Sequence, residues 1–209
     1  MPAPAQTSTA AVVAAGRHLL EQCGVDALTM QGVAEAVGVR APSLYKRVRG
    51  RSDLLRLILD DVADELTSEL DAAASSGDAV ADVRAMVATY RRFAHSNPIT
   101  YTLMYGPVAV PGATARSARS SAAFLRVVAE LAGQRHALPA ARMIVAWAHG
   151  FITMELAGAF RLGGDLEQAW DFGLDRILAA VGCTRAAVSA TDSTKEPSPS
   201  TEAAVSPTP

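Results

Sequence analysis

A cluster of basic side chains near the N-terminus is the part of this sequence whose residue types most directly suggest chemistry. Between Arg40 and Arg56 lie six basic residues and a single acidic one, Asp53. Positive charge gathered on one face attracts the phosphate backbone of nucleic acid. A solvated charged face on an ordinary helical hairpin would have the same composition, so the cluster alone leaves both interpretations open.

The residues around this cluster predict two short helices joined by a tight turn. Thr29 can cap the first helix, and Gly38 is expected to end it because glycine adopts a left-handed conformation without a Cβ clash. A second helix is predicted to begin at Pro42, with Leu44 and Val48 one turn apart on its buried side. This spacing is typical of a helix-turn-helix.

Composition limits what the rest of the chain can be. The 209 residues are 50% hydrophobic and carry a net charge of −2, with seven basic and four acidic groups in residues 1–56. The first 56 residues are therefore at +3 and the remainder at −5, so only the N-terminal unit is expected to meet nucleic acid. Abundant alanine, few aromatic residues and no alternating strand-like runs predict an all-α fold.

The chain divides at glycine, proline and serine clusters. A long helix from Ser52 to Ala74 is predicted to connect two helical units, and Asn97 is expected to cap a helix that begins at Pro98. The predicted organisation is a disordered N-terminus (1–7), a helix-turn-helix domain (8–51), a larger helical domain (52–182) and a disordered tail (183–209).

The last two predicted helices, Leu138–Leu162 and Asp165–Val181, are apolar over more of their circumference than one core contact needs. Such a surplus predicts a second buried surface, and two copies related by a two-fold axis would form a four-helix interface. The chain is therefore expected to be a homodimer through these helices.

Several classes of function are disfavoured by what the sequence lacks. Cys23 and Cys183 stand alone, which predicts no disulfide and no metal site and favours a reduced, cytoplasmic setting. The longest uncharged apolar stretch, Met143–Met154, is too short to span a bilayer. The four histidines lie on separate segments and no nucleophile or phosphate-loop motif occurs, so neither an enzyme nor a cofactor is expected.

The stretch LTMQGVAEAVGVRAPSLYKRVRGRSDLL, from Leu28 to Leu55, resembles the DNA-binding signature of the TetR family of bacterial regulators. The resemblance covers residues 8–56 and includes the Leu44-Tyr45 pair, although Val48 stands where most members have an aromatic. The stretch Ala146–Phe160 looks like the ligand-domain subclass named for its Trp-His-Gly residues. The resemblance implies an all-α homodimeric repressor with an N-terminal three-helix DNA-binding domain and a larger helical-bundle domain for effector binding and dimerisation.

On this resemblance, the second helix of the pair would enter the major groove and a dimer would read a palindromic operator in double-stranded DNA. Base contacts are expected from the small apolar residues and long cations at the helix start, and phosphate contacts from hydroxyls and one arginine. The DNA-binding residues predicted in this way are Thr29, Arg40, Ala41, Pro42, Ser43, Tyr45, Lys46 and Arg51.

The same resemblance implies a pocket for a small, largely apolar effector in the middle helices. Aromatic and methionine side chains are frequent there, Met86 and Tyr90 among them, but each of them could equally well pack in the core. The residues predicted to bind effector are Phe93, Tyr101, Met104, Tyr105, Phe124, Trp147, His149 and Phe151. A DNA-binding regulator or architectural protein without an effector remains the main alternative, and a helical enzyme is a remote one.

Overall fold

The computed structural model describes the backbone of residues 8–105 and 113–192 and the side chains of residues 8–105 and 121–183. Within these ranges the chain is helical and has no β-strand, which confirms the predicted all-α class. The disorder predicted for residues 1–7 and 193–209 lies outside the described residues. The helices are α1 (Thr9–Cys23), α2 (Met30–Ala36), α3 (Ala41–Leu44), α4 (Arg51–Ala73), α5 (Ala79–Ser96), α6 (Pro98–Tyr105), α7 (Ala113–Ala132), α8 (Ala137–Leu156) and α9 (Leu166–Asp192).

Helices α1 to α3 form a small N-terminal unit, called the reading head below. The chain turns between α2 and α3 at Gly38, whose φ of 71° lies in the left-handed region as predicted. Leu44 and Val48 are buried against the core, in agreement with their predicted anchoring role. Helix α3 begins at Ala41 rather than at Pro42, so the proline occupies its second position and Arg40 is the residue that precedes it.

Helix α4 joins the reading head to the larger body. Its inward side chains Leu54, Ile58, Val62 and Leu66 are fully buried. They lie between α1 on one side and helices α5 and α7 on the other. At about 1.5 Å per residue, 23 residues make a rod of roughly 35 Å that spans both units. No helix in the described ranges is both long enough and apolar enough to cross a membrane.

Two helices, α8 and α9, end more than one turn away from their predicted ends. Helix α8 stops at Leu156, because Gly158 adopts a φ of 59° and its N–H donates to the Glu155 carbonyl in a left-handed C-terminal turn. Helix α9 continues through Gly182 to Asp192, so the predicted disordered tail is wrong for residues 183–192. One helical glycine costs only about 1 kcal/mol relative to alanine, which the alanine-rich residues that follow can offset.

Candidate nucleic-acid interface and effector pocket

The start of α3 is open toward solvent. Arg40, which precedes the helix, makes no side-chain capping hydrogen bond, and Pro42 has no N–H to satisfy. Pro42 and Ser43 are exposed and Ala41 is half-buried. The backbone N–H of Ser43, in the first turn, donates a hydrogen bond to the Arg40 carbonyl at 2.8 Å. The surface at the start of α3 is therefore small, neutral and flanked by a cation.

Four exposed cations near this surface form no close ion pair with a carboxylate of the described residues. In the part of the chain that the structure describes, the side chains of Arg40, Lys46, Arg47 and Arg49 are exposed and take part in no ion pair. Two of the four, Arg47 and Arg49, are not among the predicted DNA-binding residues. Their signal in the sequence was the charge run itself, and only the structure shows that neither guanidinium forms an ion pair within the described residues, although the Arg49 backbone N–H donates to the Asp53 carboxylate at 2.9 Å.

Arg51 and Arg56 differ from these four cations because both are engaged within the protein. The Arg51 guanidinium donates to the carbonyl oxygens of Leu28 at 2.8 Å and Val25 at 2.5 Å, and so fastens α4 to the turn before α2. Arg56 pairs with Asp53 at 2.9 Å and with Asp60 at 2.7 Å. The guanidinium of Arg51 thus has a structural role that the sequence did not predict, and its contact with DNA stays a prediction.

Two hydroxyl groups flank α3 at the surface. Thr29 caps α2, since its Oγ1 accepts from the Gly32 N–H at 3.0 Å, while its own O–H remains able to donate outward. Tyr45, at the end of α3, is 57% exposed although it is a large aromatic residue. An exposed tyrosine beside unpaired cations suits a phosphate oxygen better than it suits a core.

A chamber of about 250 Å³ opens between α4, α5, α7 and α8. A second cavity of about 490 Å³ shares Tyr90, Tyr105 and Phe124 with it and extends outward to Arg142. A third, of about 430 Å³, lies beside Tyr101 and His149. The chamber is bounded by uncharged side chains, which are Leu66, Leu70, Met86, Val87, Tyr90, Tyr105, Ser121, Phe124, Val145 and Ala148.

Three tyrosines and a histidine form the polar part of these walls. The Tyr90 hydroxyl donates to that of Tyr101 at 3.2 Å, and the Tyr101 hydroxyl lies 2.6 Å from His149 Nδ1. Burial raises the pKa of Tyr101 to about 12 and lowers that of His149, so both groups are neutral at pH 7. Burial also raises the pKa values of Tyr90 and Tyr105. Among the described side chains, the walls of the chamber therefore carry neutral hydroxyls and no charge, whereas Arg142 lines the second cavity.

Half of the predicted effector residues line these cavities, namely Tyr101, Tyr105, Phe124 and His149. The other four lie elsewhere. Phe93 is buried in the core, and Met104 is partly buried and packs against the core. Trp147 and Phe151 turn toward Trp170 on α9, with ring centroids 4.8 and 5.2 Å away. The sequence could not separate the two groups because an aromatic or methionine side chain in a helix suits a packed core as well as a pocket wall.

The surface of α8 and α9 presents an apolar face to solvent. Met143, Ala146, Gly150 and Met154 follow one another at intervals of three or four residues, and all are exposed. On α9, Phe172 is 63% exposed. The two helices touch directly beneath this face, where the Trp147 ring lies over Gly173. The exposed residues thus form one continuous surface.

Comparisons with known proteins match both units of the chain. Residues 12–58 match the family model described as bacterial regulatory proteins, tetR family. Residues 83–177 match the model described as tetracyclin repressor-like, C-terminal domain. Among curated relatives, an uncharacterized HTH-type transcriptional regulator of Mycobacterium tuberculosis is 29% identical over 160 residues, covering 74% of this chain and 73% of the relative. An HTH-type transcriptional regulator of Mycobacterium bovis is 33% identical over 124 residues, covering 57% of this chain and 52% of the relative, about half its length.

Solved structures share the fold. A protein of unknown function from Rhodococcus sp. RHA1 has a TM-score of 0.72 at 23% identity, covering 82% of this chain and 94% of that one. A possible TetR family transcriptional regulator from Streptomyces coelicolor A3(2) has a TM-score of 0.63 at 20% identity, covering 83% and 98%. A TetR variant from Acinetobacter baumannii in complex with minocycline has a TM-score of 0.58 at 22% identity, covering 81% and 93%.

Proposed function

Because the chain belongs to the TetR family of bacterial transcriptional regulators, it is a DNA-binding regulator and not an enzyme, and we propose that it represses transcription. In this proposal a homodimer binds a palindromic operator and a small effector releases it. Chromosomal DNA as the partner implies a cytoplasmic location. The likeness of Ala146–Phe160 to the Trp-His-Gly subclass stays a prediction.

The observation that carries the DNA-binding proposal is the set of unpaired cations around α3. Water solvates the side chains of Arg40, Lys46, Arg47 and Arg49 as long as no ligand is bound. A ligand that displaces this water removes the solvation energy, and phosphate groups compensate for that loss because they carry the opposite charge. Arg47 and Arg49 are therefore added to the proposed interface. The cations inside the protein, such as Arg91 with Glu155, already have their partners.

Within this interface the proposed roles follow from side-chain chemistry. Arg40 and Lys46 are the candidates for guanine acceptors in the major groove. Ala41 and Pro42 have the size and apolarity to lie against a thymine methyl group. The exposed hydroxyls of Thr29, Ser43 and Tyr45 would contact phosphate oxygens.

The test is operator binding by Lys46→Ala and Tyr45→Phe, with an operator obtained by selection from random double-stranded DNA. Each variant is expected to bind about tenfold or more weakly in a gel-shift assay, because a lost base or phosphate contact costs about 1–3 kcal/mol. Arg92→Ala, which removes an exposed cation on α5, is the matched control and should bind as the wild type does. Unchanged affinity in both head variants would remove this interface.

The apolar face of α8 and α9 supports the proposed homodimer. Ala146 and Gly150 have little or no side chain, so a second copy could approach the α8 backbone closely, and no atom lies within 4 Å of a Cβ built at Gly150. Phe172→Asp should convert a dimer to a monomer in analytical ultracentrifugation, because a carboxylate would be buried without a partner. Val80→Asp, at a valine of α5 that is also exposed, is the control. A dimer that persists in Phe172→Asp would place the interface elsewhere.

The uncharged chamber supports sensing of a small, largely apolar effector. A ligand charge in this chamber would lose its water without gaining an opposite charge, so neutral molecules are favoured. The chamber also favours sensing over the alternative of a regulator without an effector, because the described side chains leave an apolar space of about 250 Å³ unfilled. The minocycline complex of a similar fold supports small-molecule binding in general and not that particular ligand.

Matched pairs of neutral and anionic fragments test the class of effector. Acetophenone with benzoate, and 2-heptanone with hexanoate, differ mainly in charge. The ketones are expected to raise the melting temperature and the carboxylates to leave it unchanged, and Tyr90→Phe should weaken the ketone effect. Carboxylates that bind as well as their ketone partners would contradict the neutral class.

A further inference from the structure

The start of α6 depends on a different part of the chain for its hydrogen bonds. The first N–H groups of a helix have no partner within it, and a preceding asparagine side chain usually supplies one. Asn97 was expected to do so, but its Nδ2 donates to the Phe93 carbonyl at 3.1 Å and its Oδ1 accepts from Arg17 at 2.7 Å. The predicted cap is therefore wrong, and the acceptor for α6 comes from elsewhere.

Glu21, on α1 of the reading head, supplies that acceptor. Its Oε2 accepts from the Ile99 N–H at 3.0 Å, and its Oε1 accepts from the Thr100 N–H at 2.8 Å and from the Thr100 hydroxyl at 2.5 Å. A negative carboxylate at a helix N-terminus also interacts favourably with the helix dipole. Since Thr100 is fully buried, water has little access to the two of these hydrogen bonds that Thr100 donates.

Arg17 strengthens the same junction one turn earlier on α1. Its guanidinium donates to the Asn97 side chain just before α6, and it also pairs with Glu65 on α4 and lies 3.6 Å from Asp61. Helix α1 therefore holds the start of α6 and the middle of α4 together. A displacement of α6 must move α1 or break these contacts.

The other end of α6 lies in the proposed effector site. Tyr101 follows Thr100 directly and Tyr105 closes the helix, and both side chains line the cavities, with ring centroids 5.5 Å from that of His149. An eight-residue helix is about 12 Å long and behaves as a stiff element. Helix α6 thus connects the chamber to the reading head in two turns, independently of the length of α4.

We propose that Glu21 is a positioning residue that transmits the state of the chamber to the reading head through α6. The proposal rests on the proposed function, since it presupposes an operator and a ligand chamber. The test does not need a known ligand, because coupling between two sites is reciprocal. If the state of the chamber affects operator binding through α6, operator binding must also affect the state of α6.

Hydrogen–deuterium exchange of the full chain with and without its selected operator tests this proposal. In the wild type, operator binding is expected to slow exchange of the amides of residues 99–105 by about fivefold or more, the lower end of typical allosteric coupling. In Glu21→Gln the side chain cannot accept hydrogen bonds from both Ile99 and Thr100 through separate oxygens, because its amide nitrogen is a donor. The operator-induced change should then fall below about twofold.

Baseline exchange at Ile99 and Thr100 will rise in Glu21→Gln from the loss of a cap alone, so only the response to operator is diagnostic. Glu35→Gln, which removes an equal charge from α2, where the Glu35 carboxylate accepts a hydrogen bond from Gln31, should respond as the wild type does. Thr100→Val removes one of the three hydrogen bonds and should give an intermediate response, which keeps the proposal testable if Glu21→Gln folds poorly.

Three results would overturn the inference, and one of them also overturns the proposed function. Failure to select any operator removes both. Operator binding without any change at residues 99–105 of the wild type removes only the coupling. A wild-type response in Glu21→Gln and Thr100→Val would show that α6 is coupled to DNA by a route that does not use this carboxylate.

Discussion

The salt dependence of operator binding should distinguish unpaired from paired cations in the reading head. Arg47 is exposed and takes part in no ion pair in the part of the chain that the structure describes, whereas Arg56 lies between Asp53 and Asp60. Both are arginines within ten residues of each other, so a comparison of Arg47→Ala with Arg56→Ala keeps side-chain type and charge change constant. Only the availability of the charge to DNA differs.

The magnitude follows from the number of unpaired cations. Four per subunit give eight in a dimer, and each phosphate contact contributes about −0.9 to the slope of log K against log salt, so the wild-type slope could reach about −7. Arg47→Ala removes two contacts per dimer and should make the slope less steep by about 2. Between about 50 and 200 mM salt, the variant should then lose roughly tenfold less affinity than the wild type does.

Fluorescence anisotropy of a labelled operator at a series of KCl concentrations measures these slopes. The slope of Arg56→Ala should match that of the wild type, because its carboxylate partners already neutralise that guanidinium. Equal flattening by the two substitutions would refute the reasoning, since ion pairing would then not decide which cations meet phosphate. A wild-type slope of about −2 or shallower would refute it as well, because eight cations would be contributing almost nothing.

Two further predictions concern the body. Gly173→Ala should lower the free energy of unfolding by about 1–3 kcal/mol in urea denaturation, because its Cβ would lie 2.6 Å from Trp147 Cζ2. Gly182→Ala, where the nearest atom is 3.9 Å away, should instead be neutral or stabilising by up to about 1 kcal/mol, and the reverse order would contradict the packing argument. Glu155→Ala should cost about 3 kcal/mol at pH 7, because it leaves Arg91 half-paired in a site where the glutamate side chain is only 6% exposed. Burial raises the pKa of Glu155 but hydrogen bonds from Arg91 lower it more, so its stabilisation is present above the usual 4.5 and is lost as the pH falls below it, and the variant should show a flatter acid limb.

The parts of the fold that the sequence predicted correctly depend on local signals. Helix α6 begins at the predicted residue because Pro98, whose ring suits a first helical position, marks that start. The same holds for the turn at Gly38. Residues three or four positions apart decide these features, and their chemistry can be read directly from the chain.

Three contacts that the sequence did not predict have a common cause, since each involves a partner that is distant in sequence. Asn97 has the residue type of a cap, yet Arg17, 80 residues earlier, takes its oxygen. Arg51 has the charge of a phosphate ligand, yet carbonyls 23 and 26 residues away accept its N–H groups. Trp147 has the residue type of a pocket wall, yet its ring packs against Trp170 on another helix. Side-chain type predicts what a residue can do, and only the tertiary contacts decide which of those possibilities is used.

Neighbouring hydrogen bonds along α6 would let weak ligand contacts affect operator binding. The first turn of the helix is held by the Glu21 carboxylate of the reading head, and Tyr101, the residue after Thr100, is hydrogen-bonded to the Tyr90 hydroxyl and to His149. A neutral ligand whose hydroxyl takes the place of Tyr101 at His149 would remove one of these two hydrogen bonds, and a displacement of Tyr101 would act directly on the hydrogen bonds between Thr100 and Glu21. A change of about 1 kcal/mol per subunit in the free energy of operator binding, the net contribution of one hydrogen bond, is enough to alter the affinity severalfold. In this arrangement the hydrogen-bonding group of the ligand, rather than its apolar bulk, would determine whether the regulator is released.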